Sequence, residues 1–229
     1  MADDKLQRII EGRMKLKARF EAKVRAAPSI AGGKPKGSGA LNRHGMPRLP
    51  VGQTESKKWP VLDLGELPKV TQEMFRLVVD GAVEHPYELD FTGLLALPQV
   101  QDESDFHCVT TWSRMDLRWV GVLVADAIAL ASPKASATHL MCHGSDGYST
   151  NIALEEACKP DVLLAHTVDG APLPAEHGGP VRVITPQLYA WKGAKWVSRL
   201  ELMAGDRPGF WEQRGYSMTA DPWRDDRYG

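Results

Sequence analysis

The chain has 229 residues, of which 43% are hydrophobic and 25% are charged, and its formal net charge is −1. These values are typical of an ordinary soluble globular protein that is long enough to form a substantial core. No apolar run approaches the roughly 18–20 residues that cross a bilayer, which excludes membrane-spanning helices.

The start of the chain and its cysteines predict the compartment. The opening residues, Met1–Asp4, lack the apolar core of a secretory signal. The three cysteines, Cys108, Cys142 and Cys158, form no Cys-x-x-Cys pair. Such a sparse and odd number fits a reducing environment better than a disulfide framework. We therefore expect a cytoplasmic location.

The first 50 residues differ from the rest in charge, because residues 1–48 contain 12 Lys and Arg against 4 Asp and Glu. A basic amphipathic helix is predicted over residues 3–25 from apolar residues at mostly helical spacing: Leu6, Ile9, Ile10, Leu16, Phe20 and Val24. A Pro- and Gly-rich arm follows it. We therefore divide the chain into a basic helix and arm over residues 1–50 and one domain over residues 51–229.

Two interpretations of the basic segment remain open. It is either a solvated helix with a tether or a docking segment for an acidic partner. A nucleic-acid partner is not expected, because Phe20 is the single aromatic residue there that could stack on bases.

From Trp59 onward, short apolar runs alternate with turn residues. The predicted strands are Phe75–Asp80, Phe106–Thr111, Thr138–Cys142, Val181–Ile184 and Trp196–Leu202. The predicted helices are Thr92–Leu97 and Gly121–Leu130. Many short strands and few helices predict an α+β fold with mixed β-sheets and short flanking helices. The Gly- and Pro-rich loop over residues 169–180 is the kind of segment that carries binding sites.

Cys108 has the most informative surroundings. Taken alone, a cysteine beside a histidine is more often a small core residue than a metal ligand. The adjacent pairs His107-Cys108 and Cys142-His143 lack the spacing of a structural zinc site, and no Gly-x-Ser-x-Gly motif indicates a serine hydrolase. However, the sequence DFHCVTTWS at residues 105–113 resembles the cysteine segment of the sulfite oxidase-type molybdopterin oxidoreductases.

The resemblance continues in the right order along the chain. RWVGV at residues 118–122 resembles the family's Trp-x-Gly segment at the start of a helix, and residues 161–186 resemble its stretch with the HGxPVR sequence. Residues 189–197 resemble the lysine segment that follows. PGFWE at residues 208–212 resembles the tail of small bacterial members that contain the molybdenum domain alone. These ordered blocks extend over roughly residues 59–223.

The resemblance implies the sulfite oxidase molybdopterin-domain fold and a molybdenum–molybdopterin cofactor. It implies that Cys108 ligates the metal, a role suited to a soft, strongly donating thiolate. The positions that match those holding the pterin phosphate are His177, Arg182 and Lys195, with backbone N–H groups of Gly193 and Ala194. Cations and free N–H groups are suitable partners for phosphate. The alternatives are a strand-edge salt bridge for Arg182 and Lys195, and loop packing for His177.

The substrate side departs from the family pattern. His166 stands where sulfite oxidases have the tyrosine of an LLAY segment, and it is a candidate acid or base near neutral pH. The segment that begins at Leu62 stands where vertebrate members have Arg-Asn-His. Arg114 and Arg118 are therefore candidates to replace an anion-binding arginine, or they are surface charges. Trp119 matches a pocket wall near the metal, or it is a core tryptophan.

We therefore predict an oxidoreductase that transfers an oxygen atom in a two-electron reaction with a small molecule, either a sulfite-like anion or an S- or N-oxide. The protein would supply orientation, phosphate anchoring and a selective pocket. The alternative is a non-catalytic molybdopterin-binding or carrier protein. The haem domain and the dimerisation domain of larger members are not recognisable, so we expect no haem and a separate electron-transfer partner.

Overall fold

The computed structural model describes residues 2–25 and 36–229. Residues 26–35, which form part of the expected arm, lie outside the described residues. The helices are α1 Ala2–Arg25, α2 Phe91–Ala96, α3 Val124–Leu130 and α4 Leu154–Ala157. The strands are β1 Gly37–Leu41, β2 Pro47–Pro50, β3 Thr54–Glu55, β4 Arg76–Gly81, β5 Tyr87–Asp90, β6 Val100–Cys108, β7 Trp112–Leu123, β8 His139–Gly144, β9 Ser149–Ala153, β10 Leu163–Val168, β11 Ala171–Pro172, β12 Arg182–Ile184 and β13 Val197–Met203. No helix in this described part is long and apolar enough to cross a membrane.

Three sheets organise these strands. β1 and β2 form a small antiparallel sheet. The five-stranded sheet has the order β5-β4-β13-β8-β9, in which β4 and β13 are parallel and the other neighbours are antiparallel. The six-stranded sheet has the order β11-β10-β7-β3, with β12 paired to β10 and β6 paired to β7. The expected α+β fold with mixed sheets and short helices is confirmed.

The six-stranded sheet contains the segment for which a helix over residues 121–130 was predicted. Strand β7 continues to Leu123, and α3 begins only at Val124. Gly121 pairs with Ala165 of β10, and a Cβ at Gly121 would collide with the Leu164 carbonyl oxygen. The glycine thus permits a close approach of two central strands. The segment around Trp119 is therefore strand, and the prediction of a helix start there is wrong.

Strand β10 is buried on both faces. Leu164 packs in the main core, whereas Leu163 and Ala165 pack in a second cluster that includes Trp119. Successive residues of a strand point to opposite faces. A strand covered on both sides therefore has a continuous apolar run instead of an alternating pattern.

Candidate cofactor site and active site

A concave pocket lies against the end of β6 and the segments around β12. Five residues assigned to the cofactor from the sequence line it: Cys108, His177, Arg182, Gly193 and Lys195. The aromatic residues in its wall are Trp59, Phe106, Trp112, Tyr148, Trp191, Trp211 and Tyr216. The fold therefore gathers residues more than 80 positions apart in the sequence into one cavity.

Cys108 is the last residue of β6 and lies at the pocket wall. Its side chain is buried, and its Sγ lies 3.1 Å from the Thr110 Oγ1. Gln53 Nε2 donates to the Cys108 carbonyl at 3.1 Å, which fixes the backbone at this point. Burial raises the pKa of the Cys108 thiol. Of the three cysteines, all of them in the described residues, only Cys108 lines this pocket.

Arg182 is a buried cation whose partners are backbone carbonyls. Its residue is 3% exposed, and its guanidinium donates to the His177 carbonyl at 2.9 Å and the Gly193 carbonyl at 3.3 Å. Burial lowers the pKa of Arg182 to about 10, so the group remains charged at neutral pH. No carboxylate of the described residues lies within ion-pair distance of it. A buried charge without a counter-charge is costly, and this arrangement indicates an anionic ligand.

Lys195 and His177 complete this end of the pocket. Burial, together with the charge of Arg182, lowers the pKa of Lys195 to about 8 and that of His177 to about 4. Lys195 is therefore mostly charged at neutral pH, whereas His177 is neutral. Lys195 Nζ donates to the Glu176 carbonyl at 2.8 Å, and the His177 ring stacks on Trp59 with 3.7 Å between ring centroids.

The backbone around these groups is closely packed. Gly178 has a φ of +104°, and a Cβ there would press against Lys195. A Cβ at Gly193 would collide with the Val183 carbonyl oxygen. Glycine at both positions therefore allows the 177–183 and 193–197 segments to lie side by side. We refer to His177, Arg182 and Lys195 as the anchor cluster.

The expectation of a free backbone donor at residue 193 needs correction. The Gly193 N–H donates to the Ala190 carbonyl at 3.1 Å, because it closes the short 3₁₀ turn Ala190–Lys192. Ala194 is fully buried and does not line the pocket, and its carbonyl accepts a hydrogen bond from the Val183 N–H at 2.9 Å. The anchor cluster therefore relies on side chains more than the sequence suggested.

The residues predicted for the substrate side do not line the pocket. His166 lies 2.8 Å from Gln99 Oε1 and 2.9 Å from Thr167 Oγ1. His166 lies where the pairing of β10 with β7 shifts register, between Ala165 and Thr167, and its side chain bonds to these groups instead of lining the cavity. Trp119 is 1% exposed and belongs to the second core cluster.

The two candidate arginines are paired elsewhere. Arg114 is 3.1 Å from Asp169 Oδ2 and lies over the Trp59 ring. Arg118 is 4.0 Å from the other oxygen of the same carboxylate, with a side chain that is 70% exposed. Leu62 does line the pocket, together with Asp63 and Leu64.

The polar residues of the pocket wall that sequence reasoning missed include Tyr216 and Arg13. Tyr216 is buried between aromatic rings, stacked on Trp211 and edge-on to Trp191. Nothing in the local sequence distinguishes it from a core tyrosine. Arg13 comes from α1. It follows Ile9 at helical spacing, and this spacing is the sequence signal that places both residues on the same face of the helix.

The comparisons with known proteins agree with this site. Residues 64–211 match the family model described as the oxidoreductase molybdopterin binding domain. The fold and pocket thus define a molybdopterin-binding oxidoreductase domain. The chain belongs to this family, whose named members are enzymes.

The chain covers very different shares of the length of its relatives. The chain is 38% identical to "Uncharacterized oxidoreductase YuiH" of Bacillus subtilis, over 79% of this chain and 92% of that protein. It is 30% identical to "Protein-methionine-sulfoxide reductase catalytic subunit MsrP" of Gluconobacter oxydans, over 64% of this chain and 54% of that protein. Rat "Sulfite oxidase, mitochondrial" is 33% identical over 43% of this chain and 20% of that protein.

Among solved structures, the chain resembles the sulfane dehydrogenase SoxCD from Paracoccus pantotrophus. The TM-score is 0.58 with 24% sequence identity, over 62% of this chain and 41% of that chain. This similarity concerns the fold, and it confirms the expected sulfite oxidase-type molybdopterin-domain architecture.

Proposed function

We propose that the protein is a molybdenum cofactor-dependent oxidoreductase that acts on a small molecule by two-electron oxygen-atom transfer. One observation carries the proposal: a buried thiol, Cys108, and a buried guanidinium without a carboxylate partner, Arg182, line the same pocket. A soft metal ligand and an anion anchor in one cavity fit a metal held beside a phosphate-bearing organic group.

The residues present fit the cofactor in three ways. Cys108 is the soft ligand for the metal. The anchor cluster provides two cations and one neutral imidazole for the phosphate. Trp59 and the other aromatic residues of the wall offer flat apolar surface beside the anchor cluster. When bound, the cofactor supplies the oxygen-atom-transfer chemistry, and the protein supplies orientation and a selective pocket.

The chain's own residues have distinct roles in this proposal. The Cys108 thiol must lose its proton to bind the metal, because the thiolate is the ligand. Tyr216 lines the same cavity, and burial raises the pKa of its hydroxyl, which therefore keeps its proton at neutral pH. We assign to the Tyr216 hydroxyl the role of a hydrogen-bond donor to a substrate oxygen.

The substrate class follows from the relatives only in outline. The relatives include proteins named as methionine-sulfoxide reductases and sulfite oxidases. These names support an S-oxide or a sulfite-like anion as the candidate substrates. We retain His166, Arg114 and Trp119 as untested predictions and place Tyr216 ahead of them for the substrate side. A separate electron-transfer partner and a cytoplasmic location also remain part of the proposal.

The first experiment is elemental analysis of the purified protein for molybdenum, with a pterin fluorescence assay on the released cofactor. We expect about one metal and one pterin per chain after expression in a host that makes the cofactor. The loaded protein is then screened with sulfite and an artificial electron acceptor, and with S- and N-oxides and an artificial electron donor. A chain that binds neither metal nor pterin in such a host would contradict the proposal.

The alternative is a non-catalytic molybdopterin-binding or carrier protein. It predicts pterin binding without turnover of any substrate in the screen. The position of Cys108 in the pocket argues against it, because a protein that only stores the pterin needs no metal-ligating thiol. Transfer of the pterin from the loaded protein to a second apoenzyme, with no turnover of its own, would favour this alternative.

A further inference from the structure

Helix α1 lies across the mouth of the pocket. Near its start, Lys5 Nζ donates to the Gly65 carbonyl, beside the pocket residues Asp63 and Leu64. Near its end, Lys17 lies against Gly215, next to the pocket residue Tyr216. Farther on, the Phe20 ring contacts the Tyr228 ring edge-on at 5.4 Å. The helix therefore connects two rims of the cavity.

The inward face of α1 is largely apolar, and its charged members are Arg13, Lys17 and Glu21. The half-buried positions recur at helical spacing: Leu6, Ile9, Ile10, Arg13, Met14, Lys17, Phe20 and Glu21. Ile9, Ile10 and Met14 pack against the main core. Leu16, which the sequence placed on the apolar face, is 42% exposed, and the side chain of Val24 lies outside the described residues. Arg13 replaces an apolar residue on the inward face.

Arg13 faces the Cys108 side of the pocket. It lines the cavity with Cys108 and Tyr216. The positive charge of Arg13 acts on both of these groups, which places its side chain near them. No hydrogen bond or ion pair joins Arg13 to any residue that the structure describes. This differs from Arg114 and Arg118, which both pair with Asp169.

We propose that Arg13 binds a small anionic substrate in this pocket and determines the preference for anions over neutral substrates. This inference rests on the proposed function, since it places the substrate on the Cys108 side of the cofactor. A half-buried guanidinium that pairs with none of the described residues matches an oxyanion with two acceptor oxygens. In the neighbouring wall, Leu62 and Leu64 are apolar, and Asp63 accepts a hydrogen bond from the Gly65 N–H at 2.8 Å. Arg227, whose charge also acts on Cys108, already donates to Asp225 Oδ1 at 2.7 Å and to the Val109 carbonyl.

The position of α1 also limits the size of the substrate. A helix that contacts both rims leaves access for a small molecule, whereas a side chain within a folded protein would have to displace the helix. We therefore infer that the substrate is a free small oxyanion, which Arg13 contacts from the α1 side of the pocket.

The test compares three variants of the loaded protein, each with its molybdenum and pterin contents measured. R13Q removes the charge, R13K keeps the charge without the planar fork, and R19Q removes an exposed charge from the same helix. Binding of sulfate, an unreactive oxyanion, is measured by calorimetry, and KM and kcat are measured with sulfite and with dimethyl sulfoxide. We expect R13Q to weaken sulfate binding and raise KM for sulfite by about tenfold to a hundredfold.

Several outcomes decide the matter. R13Q should leave the KM for dimethyl sulfoxide and the cofactor content unchanged, R13K should lie between R13Q and the parent, and R19Q should match the parent. Equal sulfate binding by R13Q and R19Q overturns the inference, as does a loss of cofactor in R13Q, which would make Arg13 a phosphate anchor. A parent protein that contains molybdenum and pterin but does not bind sulfate also overturns it while leaving the proposed function intact. A parent protein that contains neither molybdenum nor pterin overturns both this inference and the proposed function.

Discussion

The two ends of the pocket are built in different ways. At the anchor end, Arg182 is held by backbone carbonyls from neighbouring segments of the body, within the region that matches the family model. At the Cys108 end, part of the wall comes from Arg13 and Leu62, which precede residue 64, where that match begins. The residues that anchor the cofactor and the residues that we place on the substrate side are therefore separable, because they come from different parts of the chain.

The most severe test of the Cys108 end is Cys108→Ser. Loss of a residue that supports a metal ligand commonly costs 10–100-fold, so loss of the ligand itself should lower turnover by more than about a hundredfold. The hydroxyl fits the same space, and we expect the thermal unfolding midpoint to stay within about 4 °C of the parent. Turnover at the parental rate would show that Cys108 does not ligate the metal. Cys158→Ser, at an exposed cysteine, is the matched control.

At the anchor end, Arg182→Met should lower cofactor occupancy. The change removes a charge-assisted phosphate contact of about 1.5–3 kcal/mol, so cofactor affinity should fall by about tenfold to a hundredfold. Pterin released per chain is the measurement. Arg182→Lys keeps the charge but loses the planar fork, so its pterin content should lie between those of the parent and Arg182→Met. Unchanged occupancy in Arg182→Met would make Arg182 structural.

The anchor end should also give the ligand-free protein a characteristic pH dependence. The pKa of Lys195 is lowered from 10.5 to about 8, so the unfolded state binds more protons between these values. The free energy of unfolding should therefore rise with pH in this window, by at most about 1.4 kcal/mol per pH unit. The other charged groups that act on Lys195 are Arg182, Asp63, Asp146 and Glu176.

Urea unfolding of the ligand-free parent and of Lys195→Met at about pH 7.5 and about pH 9.5 measures this contribution. The parent should gain more stability with pH than the variant, which lacks the titrating group. Saturating inorganic phosphate should reduce the difference, because a bound anion favours the charged lysine. Equal slopes for the two proteins would show that Lys195 is not desolvated in solution.

The smallest effect is expected for His166→Ala, since His166 does not line the pocket. Its hydrogen bond to Gln99 is worth about 1 kcal/mol of stability, and kcat should stay within about twofold of the parent.

Tyr216→Phe, on the Cys108 side, should lower kcat by about a hundredfold if its hydroxyl assists proton transfer. A larger loss for His166→Ala than for Tyr216→Phe would reverse our placement of the substrate side.

What could be predicted from the sequence depended on whether a signal was local. The strand over Arg76–Gly81 was recognisable because a short apolar run with two valines is ended by a glycine. Strand β10 was missed because both of its faces are covered, and its short run of Leu and Ala cannot be distinguished from a buried helix by periodicity. Cys108, Arg182 and Lys195 were predicted from short ordered motifs, and all three line the pocket.

The residues predicted for the substrate side do not line the pocket, because long-range packing decides which side chains reach it. His166 follows a recognisable motif, but it lies where the register of β10 shifts, between Ala165 and Thr167, and it bonds to Gln99. Arg13 lies almost 100 residues before Cys108, and only the docking of α1 brings the two to one cavity. No local pattern encodes that contact.

The contact of α1 with Tyr228 has a consequence for the order of events during synthesis. The helix leaves the ribosome long before Tyr228, which is part of the surface on which it docks. Domains fold as the chain emerges, but this contact forms only after Tyr228 has been translated. The growing protein therefore lacks this part of the cover over its cavity during that interval, which gives a bulky preformed ligand time to enter.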